Sequence, residues 1–249
     1  MTERATEQLR HTPLHAVHRE LGARLVPFAG YEMPVQYTSI IDEHRAVRAT
    51  GGLFDLSHMG EVDVRGDGAV GFLRHALVSD PAALAVHQAQ YSMACDEDGG
   101  IIDDLIVYRR AEDHFLVVCN ASNRGAVAEH LTDLLRRGEW ATAVEDRSDS
   151  VGLVAPQGPR AAELVDSVTD VDLAAIGNYR SAPGTVAGVE CLIARTGYTG
   201  EDGFELFCDA AQTRDLWQAL ALLTHATERS VVEAALGLMA GAGPAEAAG

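Results

Sequence analysis

The segment GGIIDDLIVYRR, residues 99–110, places two adjacent aspartates inside an apolar run that is typical of a strand. Successive side chains of a strand point to opposite faces of the sheet. The alternation gives two sets: Ile101, Asp103, Leu105 and Val107 on one face, and Ile102, Asp104, Ile106 and Tyr108 on the other. The two carboxylates therefore do not form a catalytic pair, and one of them must point among apolar neighbours.

An ionised carboxylate among apolar side chains is costly unless something pairs with it. The pattern leaves two interpretations of Asp103 and Asp104 open. In the first, one aspartate caps backbone N–H groups near the preceding hairpin and the other faces water. In the second, one of them belongs to a functional site.

Short strands alternate with helices along the rest of the chain. Apolar spacing and end signals predict helices over residues 40–50, 69–77, 123–137, 159–168 and 210–226, with Pro159 in the first turn of the fourth. Alternation and turn residues predict strands within residues 54–66, 88–95, 101–110, 114–120, 150–158, 185–196 and 203–209. Two strand-rich blocks, each closed by helices, indicate an α+β fold with two related subdomains.

A glycine-rich segment, ARTGYTGEDGFEL (residues 194–206), precedes one of these strands. Glu205 lies between Phe204 and Leu206, so alternation allows it to point either way. It either accepts paired N–H donors from a flat heterocycle, with Tyr198 as an aromatic contact, or faces outward from a hairpin. The pattern does not separate these two interpretations.

Two further segments have ordinary structural interpretations. FAGYEMPVQY (residues 28–37) has the composition of a loop that plugs the end of a core or lines a ligand pocket. In FDLSHMGEV (residues 54–62), Ser57 and His58 are neighbours on an extended chain and point apart, and no G-x-S-x-G turn is present. We therefore expect a structural histidine in a turn.

The formal net charge of −18, from 37 acidic and 19 basic residues, disfavours nucleic acid and anionic membrane surfaces as partners. No run is long enough to span a bilayer, and the N-terminal residues lack the apolar core of a signal peptide. The four cysteines, Cys95, Cys119, Cys191 and Cys208, are far apart and form no CxxC pair. Reduced structural thiols in a cytoplasmic protein are expected.

Four segments, in this order, resemble the aminomethyltransferase family, the T-protein of the glycine cleavage system. They are TPLHAVHRELGARLVPFAGYEMPVQYTSIIDEHRAVRATGGLFDLSHMGEVDVRG, YSMACDEDGGIIDDLIVYRR, VAPQGPRA and ARTGYTGEDGFEL, and the similarity extends from residue 12 to about residue 223. The resemblance implies transfer of the C1 unit from the aminomethyl-lipoyl arm of the H-protein to tetrahydrofolate. Ammonia is released and 5,10-methylenetetrahydrofolate is formed.

The family fold implies two interleaved antiparallel subdomains with helices that enclose a folate pocket, roughly residues 1–52 with 145–226, and residues 53–144. Position by position, the resemblance makes Asp104 the aspartate that faces the pterin, where a preorganised carboxylate stabilises positive charge as folate N5 attacks the aminomethyl carbon. Glu205 is expected to hold the amino-pyrimidinone edge. The other matching pocket positions are Tyr91, Ile106, Tyr108, Val118, Asn120 and Tyr198. The chemistry requires no metal, flavin or pyridoxal group.

The end of the chain departs from the family pattern. Relatives continue with a segment of the type GLGARDxLRLEAGMPLYG, which supplies an arginine to the folate glutamate tail, and then with a barrel domain. The sequence EAALGLMAGAGPAEAAG matches neither, so residues 227–249 are expected to form a poorly ordered tail. Folate binding is then expected to be weakened in so acidic a chain.

Two alternatives to the aminomethyltransferase remain open. One is another tetrahydrofolate-dependent C1 transferase or demethylase of the same fold, including the folate-binding part of sarcosine- or dimethylglycine-oxidising enzymes. The other is an inactive fragment that acts at most as a binding module. The Lys-Gly-Cys motif of the relatives that assist iron–sulfur assembly is absent from the sequence.

Overall fold

The computed structural model of the protein describes residues 8–226, with side chains through residue 222. In this part of the chain six α-helices form: α1 (His15–Glu20), α2 (Ile40–Ala49), α3 (Ala69–Ala76), α4 (Arg124–Arg137), α5 (Ala161–Asp166) and α6 (Thr213–Ala226). The strands are β1 (Arg24–Phe28), β2 (Tyr31–Gln36), β3 (Gly52–Asp55), β4 (Gly60–Arg65), β5 (Ala89–Cys95), β6 (Ile101–Ala111), β7 (His114–Cys119), β8 (Ala143–Asp146), β9 (Val151–Gln157), β10 (Ser181–Val186), β11 (Val189–Ala194) and β12 (Glu205–Asp209).

Two five-stranded antiparallel sheets form the centre of the molecule. Sheet 1 has the strand order β10-β11-β12-β9-β3, and sheet 2 has the order β5-β6-β7-β4-β8. The strands β1 and β2 make a separate hairpin. Helices and antiparallel sheets in one chain confirm the α+β prediction.

The sheets pack face to face, and helices cover their outer faces. On the outer face of sheet 1, residues of α1, α5 and α6, among them Val17, Val165 and Trp217, share a core with Leu206. On the outer face of sheet 2, Phe72 of α3 and Val127 and Leu131 of α4 cover the strands. The core between the inner faces consists of Ala89, Tyr108, Leu116, Val118, Leu153, Leu192, Ala194 and Phe207. The layer order is therefore helices, sheet 1, sheet 2, helices.

The two sheets are built in the same order. Each begins with a strand and a helix (β4–α3 and β9–α5), continues through a 3-10 turn and three strands (β5–β7 and β10–β12), and ends in a helix (α4 and α6). The pairing orders β5-β6-β7-β4 and β10-β11-β12-β9 also match. Each of these two series, β4 to α4 and β9 to α6, is one unit, and their common order agrees with the expectation of two related subdomains. The residue boundaries predicted for two interleaved subdomains stay a prediction.

A mirrored contact joins the two units where β5 and β10 begin. Ala89 N–H donates to the Tyr179 carbonyl and Ser181 N–H donates to the His87 carbonyl, both at 2.8 Å. His87 and Tyr179 both have positive φ, 67° and 54°, which non-glycine residues seldom adopt. The same unusual turn therefore recurs at the equivalent position of each unit.

The structure confirms the helices predicted over residues 40–50, 69–77 and 123–137 as α2, α3 and α4. Pro159 lies outside α5, which begins only at Ala161. The predicted tail, residues 227–249, lies outside the described residues.

The segment 28–37 is not the loop that its composition predicted. It forms the end of β1, the turn at Ala29 and Gly30, and β2. Both turn residues have positive φ, 50° and 81°, as a two-residue hairpin turn requires. Proline within an apolar run argues against a strand, so Pro34 made β2 look like a loop in the sequence.

Alternation in β6 holds from Asp103 to Arg109 but fails before Asp103. A bulge opposite Ala94 and Cys95 shifts the register between Asp103 and Ile101. As a result Ile102, predicted on the face of Asp104, packs in the core under α3 and α4 with Leu105 and Val107. An extra residue in one strand reverses the facing of everything on its far side.

Candidate functional site

A row of side chains crosses the inner face of sheet 2. Tyr91 lies opposite Ile106 on β5 and β6, and Ile106 lies opposite Val118 on β7. Directly opposed residues of neighbouring strands point to the same face. Val118 is buried, Ile106 is half-buried and Tyr91 is exposed, so the row runs from the core between the sheets to solvent.

Asp104 lies beside this row, on the same face and two residues from Ile106 along β6, and it is exposed to solvent. The Tyr91 hydroxyl donates to Asp104 Oδ2 at 2.9 Å, and Asn120 Nδ2 donates to Oδ1 at 3.1 Å. The hydrogen bond to Asp104 raises the pKa of Tyr91, so the hydroxyl keeps its proton as a donor. Two neutral donors thus orient an accessible carboxylate, and no ion pair to Asp104 occurs within residues 8–222.

Asp103 points to the opposite face and is 3% exposed. It accepts the backbone N–H of Asn120 at 2.7 Å and the side-chain amides of Asn120 and Asn123 at 3.0 and 2.5 Å. The capping role predicted for one aspartate therefore occurs, but at the junction before α4 rather than at the hairpin. Asp96 caps the hairpin instead, through the backbone N–H groups of residues 98 and 100.

Glu205 lies on the inner face of sheet 1 and is buried, which rules out the outward-facing interpretation. The Tyr108 hydroxyl reaches across from sheet 2 and donates to Glu205 Oε2 at 3.0 Å, and the Thr196 hydroxyl donates to the same oxygen. Burial raises the pKa of Glu205, and these two hydrogen bonds partly oppose the shift. No described residue donates to Oε1, which leaves one carboxyl oxygen available to a ligand.

The loop before Glu205 is held by Gln157, which is 2% exposed. Gln157 Nε2 donates to the carbonyls of Thr196 and Phe204, both at 3.1 Å. A Cβ at Gly197 would lie 2.1 Å from Gln157 Oε1, and one at Gly203 would lie 2.6 Å from a backbone carbonyl. Gly197 and Gly203 are therefore needed for close packing around Gln157, whose role the sequence analysis missed.

Tyr198 is fully exposed at the tip of the same loop. It borders a cavity of about 420 Å³ that is also lined by Phe54 and by residues of α2 and β2. Its phenol lies near enough to Tyr91 to contribute to the raised pKa of that residue. The structure thus groups Asp104, Tyr91 and Asn120 directly and joins Tyr108 to Glu205, whereas Tyr198 makes no hydrogen bond to either group.

Glu61 on β4 is a second buried acid that the sequence analysis did not single out. It lies opposite Val118, so it extends the row of Tyr91, Ile106 and Val118 by one strand. Its side chain is 0% exposed, and neither carboxyl oxygen has a hydrogen-bond partner among the described residues. Burial raises the pKa of Glu61 well above its ordinary value. Alternation within the predicted strand around EVDV was the signal that could have located it.

The residues Ser57 and His58 form no nucleophilic pair. The Ser57 hydroxyl accepts the Leu153 N–H at 3.0 Å, and the Asp55 carboxylate accepts the Ser57 N–H at 2.9 Å. Burial lowers the pKa of His58, which packs edge-on against Phe28. This agrees with a structural histidine in a turn.

Residues 14–239 match the protein family described as the GCVT N-terminal domain. The chain belongs to this family. Among curated proteins, it is 54% identical over 211 residues to the aminomethyltransferase of Streptomyces avermitilis, a match that covers 85% of this chain and 56% of the relative. It is 44% identical over 230 residues to that of Geobacillus thermodenitrificans, covering 92% and 62%. The chain thus spans a little over half the length of the curated relatives it matches.

Among solved structures, one aminomethyltransferase gives the same family. The glycine cleavage system aminomethyltransferase T from Bartonella henselae superposes with a TM-score of 0.79 at 36% identity, covering 86% of this chain and 57% of that one. A chain of the heterotetrameric sarcosine oxidase from Corynebacterium sp. U-96 superposes with a TM-score of 0.58 at 18% identity, covering 90% and 100%. The second likeness shows a shared fold only.

Across residues 8–226, no helix combines the length and the apolar character that crossing a membrane requires.

Proposed function

We propose that this chain carries the folate site of an aminomethyltransferase of the glycine cleavage system. The C1 unit passes from the aminomethyl-lipoyl H-protein to tetrahydrofolate, giving 5,10-methylenetetrahydrofolate and ammonia. The observation that carries the proposal is Asp104, an exposed carboxylate that Tyr91 and Asn120 hold beside the apolar side chains of Ile106 and Val118. Family membership supplies the reaction class.

The row beside Asp104 suits one face of a pterin. Ile106 and Val118 present apolar surface, and Tyr91 presents an aromatic ring at the edge. Apolar walls with a few convergent polar groups are typical of small-molecule sites. The pterin is therefore proposed to lie on this row, with Tyr198 packing at its outer side.

Glu205 is proposed to hold the amino-pyrimidinone edge of the pterin through Oε1. Its Oε2 is already fixed by Tyr108 and Thr196, so the carboxyl plane is set before the ligand arrives. N–H donation from the ligand to Oε1 would favour the ionised carboxylate and oppose the raised pKa of Glu205. Without the ligand, the Glu205 carboxyl group lies in a buried environment that disfavours its ionised form. The pterin is proposed to offset this cost.

The proposed transfer balances without an oxidant. The methylene carbon loses its bonds to sulfur and to nitrogen and gains bonds to N5 and N10 of the folate. The two protons that leave N5 and N10 end on the lipoyl thiol and on ammonia. Positive charge develops around the carbon and N5 during the attack, and the Asp104 carboxylate, fixed by neutral donors, is proposed to stabilise it.

A cytoplasmic location is proposed with this activity. All four cysteines, Cys95, Cys119, Cys191 and Cys208, are free thiols. Thiols persist in reducing compartments. The lipoylated H-protein is the proposed protein partner.

The test combines binding with turnover. Tetrahydrofolate is titrated calorimetrically into the full chain, and the chain is then assayed for ammonia release from aminomethyl-loaded H-protein in the presence of tetrahydrofolate. Binding with turnover supports the proposal. Binding without turnover, but with activity toward another C1 donor such as sarcosine, would favour the alternative transferase, and absence of binding would contradict a folate site.

A further inference from the structure

A cluster of two histidines and a glutamate shares no residue with the proposed folate site. Its members come from three segments: His11 from the stretch ahead of α1, His15 from the first position of α1, and Glu32 from β2. Their ligand-type atoms all lie within 4.8 Å of one another. Because the glutamate is distant in sequence, the spacing gave no sign of this cluster.

The two imidazoles aim at one carboxylate oxygen. Nε2 of His15 lies 2.6 Å from Glu32 Oε2, and Nε2 of His11 lies 3.7 Å from the same atom. The rings are stacked at a centroid distance of 3.6 Å with an interplanar angle of 4°. The stacked rings therefore present two nitrogen donors side by side, next to an oxygen donor.

The backbone fixes this arrangement. Arg10 N–H donates to the Gly30 carbonyl and Glu32 N–H donates to the Arg10 carbonyl, both at 2.9 Å, so the segment of His11 is paired with the hairpin. His15 N–H donates to the Thr12 carbonyl at 3.1 Å and closes the turn that brings the second ring over the first. These backbone hydrogen bonds therefore hold the segments that carry the three donor side chains next to one another.

Exposure divides the ligands into fixed and adjustable members. The side chain of His15 is 10% exposed, whereas those of Glu32 and His11 are 36% and 55% exposed. A buried first ligand gives a preorganised anchor, and the exposed pair gives an entry path and room to adjust. A closed core histidine would offer neither.

We propose that His11, His15 and Glu32 form a binding site for a divalent transition-metal ion of the Zn²⁺ type, with the fourth position open to water. Two imidazoles and one carboxylate are a donor set that zinc accepts in tetrahedral sites. Metal–ligand distances of about 2.0–2.2 Å place neighbouring donors roughly 3.3 Å apart in such a site. The two nitrogen–oxygen distances, 2.6 Å for His15 and 3.7 Å for His11, lie on either side of that separation.

Nearby charge is mixed. Arg19 is exposed and adds to the lowering of the pKa of Glu32, so it opposes a cation, but it makes no ion pair with Glu32 in the described part of the chain. Arg10 is engaged by Asp149 and contacts the Tyr31 ring. The net charge of −18 attracts cations to the whole molecule.

A bound metal ion would link the segment ahead of α1 to β2, because His11 lies in that segment and Glu32 lies on β2.

The experiment uses the full, untagged chain after chelator treatment. Zn²⁺ alone is titrated calorimetrically, and Co²⁺ is used to read the coordination from its visible absorption. One equivalent of Zn²⁺ and a four-coordinate Co²⁺ spectrum are expected, and Zn²⁺ raises the melting temperature because it binds the folded chain more tightly than the unfolded chain. His11→Ala and Glu32→Gln each weaken Zn²⁺ binding at least about tenfold, the loss usually seen even for groups that only orient a ligand.

Two controls separate this site from adventitious binding. His75→Ala removes an exposed histidine on α3, and Cys95→Ser removes the one cysteine that is not buried. Both variants are expected to bind Zn²⁺ as the unaltered chain does. Because His11 is exposed, its replacement leaves the fold intact by circular dichroism. Zn²⁺ binding that survives His11→Ala, or an absence of stoichiometric binding to the unaltered chain, overturns the proposal.

Discussion

Asp103 and Asp104 are adjacent in the chain but have different environments. Asp103 is buried under the start of α4 with three amide donors, and Asp104 is exposed with a phenol and an amide as donors. Burial with a full set of hydrogen bonds is a structural environment, and an oriented but accessible carboxylate suits contact with a ligand.

We expect Asp103→Asn and Asp104→Asn to separate stability from transfer. In Asp103→Asn an amide donor replaces an oxygen that accepts from Asn120 and Asn123, so unfolding free energy should fall by about 1–3 kcal/mol. Because Asp104 is exposed, Asp104→Asn should change the unfolding free energy by less than about 0.5 kcal/mol, while the proposed aminomethyl transfer falls steeply. Urea unfolding and the ammonia-release assay measure the two effects. Equal losses of transfer in both variants would mean that the assignment of faces is wrong.

Glu61 predicts a particular pH dependence of stability. Burial, with the nearby charges of Asp146 and Asp149, raises its pKa, and Arg124 opposes the shift. In the unfolded chain Glu61 loses its proton near its ordinary pKa of 4.5, whereas the folded chain keeps it. The contribution to stability is therefore fully present below that value and is lost as pH rises toward the folded pKa, at up to about 1.4 kcal/mol per pH unit.

Glu61→Gln should remove this slope. As pH rises above the ordinary pKa of 4.5, the unfolding free energy of Glu61→Gln is expected to gain on that of the unaltered chain in urea titrations. Glu129→Gln, an exposed position on α4, provides the control and should show no such gain. Parallel curves for Glu61→Gln and the unaltered chain would show that Glu61 is ionised in the folded state.

At the scale of the elements, α6 covers the outer face of sheet 1 with one side and exposes the other side to solvent. Leu216 is 0% exposed in the core over sheet 1, whereas Leu222, on the same helix, is 67% exposed. Leu216→Ala is expected to lower the unfolding free energy by about 2–5 kcal/mol through lost burial and a cavity. Leu222→Ala should change it by less than about 0.5 kcal/mol. Similar losses in both variants by urea unfolding would contradict the packing of α6.

Whether an element could be predicted from the sequence depends on whether local residues or contacts with distant strands determine it. The helices α2 and α4 have end signals and apolar spacing within their own residues, so they could be predicted. The β1–β2 hairpin depends on a turn at Ala29 and Gly30 that lacks the usual Asn-Gly signal, so it could not. The bulge before Asp103 is likewise set by pairing with β5, which no local pattern specifies.

The same limit applies to the site. Alternation alone placed Asp104 on the face of Ile106 and Tyr108, because the bulge lies on the far side of Asp103. The inward direction of Glu205 could not be predicted, since only the opposite sheet, through Tyr108, decides it. Glu61 was missed because an acid in an alternating strand is usually a solvated residue.

At the scale of the whole molecule, a net charge of −18 opposes the anionic glutamate tail of folate. Added salt screens this repulsion. Raising ionic strength is therefore expected to tighten tetrahydrofolate binding a few-fold in calorimetry and to leave the affinity for a tetrahydropterin without the tail unchanged. Weaker tetrahydrofolate binding at high salt would instead reveal a local cationic contact for the tail.

The mirrored contact between the two units has the form of a subunit interface. Ala89 and Ser181 exchange equivalent hydrogen bonds with Tyr179 and His87, so each unit offers the donor and the acceptor that the other requires. Two arginines occupy equivalent positions as well. Arg109 donates to the Leu84 carbonyl in the turn ahead of β5, and Arg195 donates to the Ile176 carbonyl in the turn ahead of β10. In a symmetric dimer such an interface is called isologous. The two units of this single chain thus pack against each other as the subunits of a symmetric dimer do. The proposed pterin site lies at the boundary between the two units.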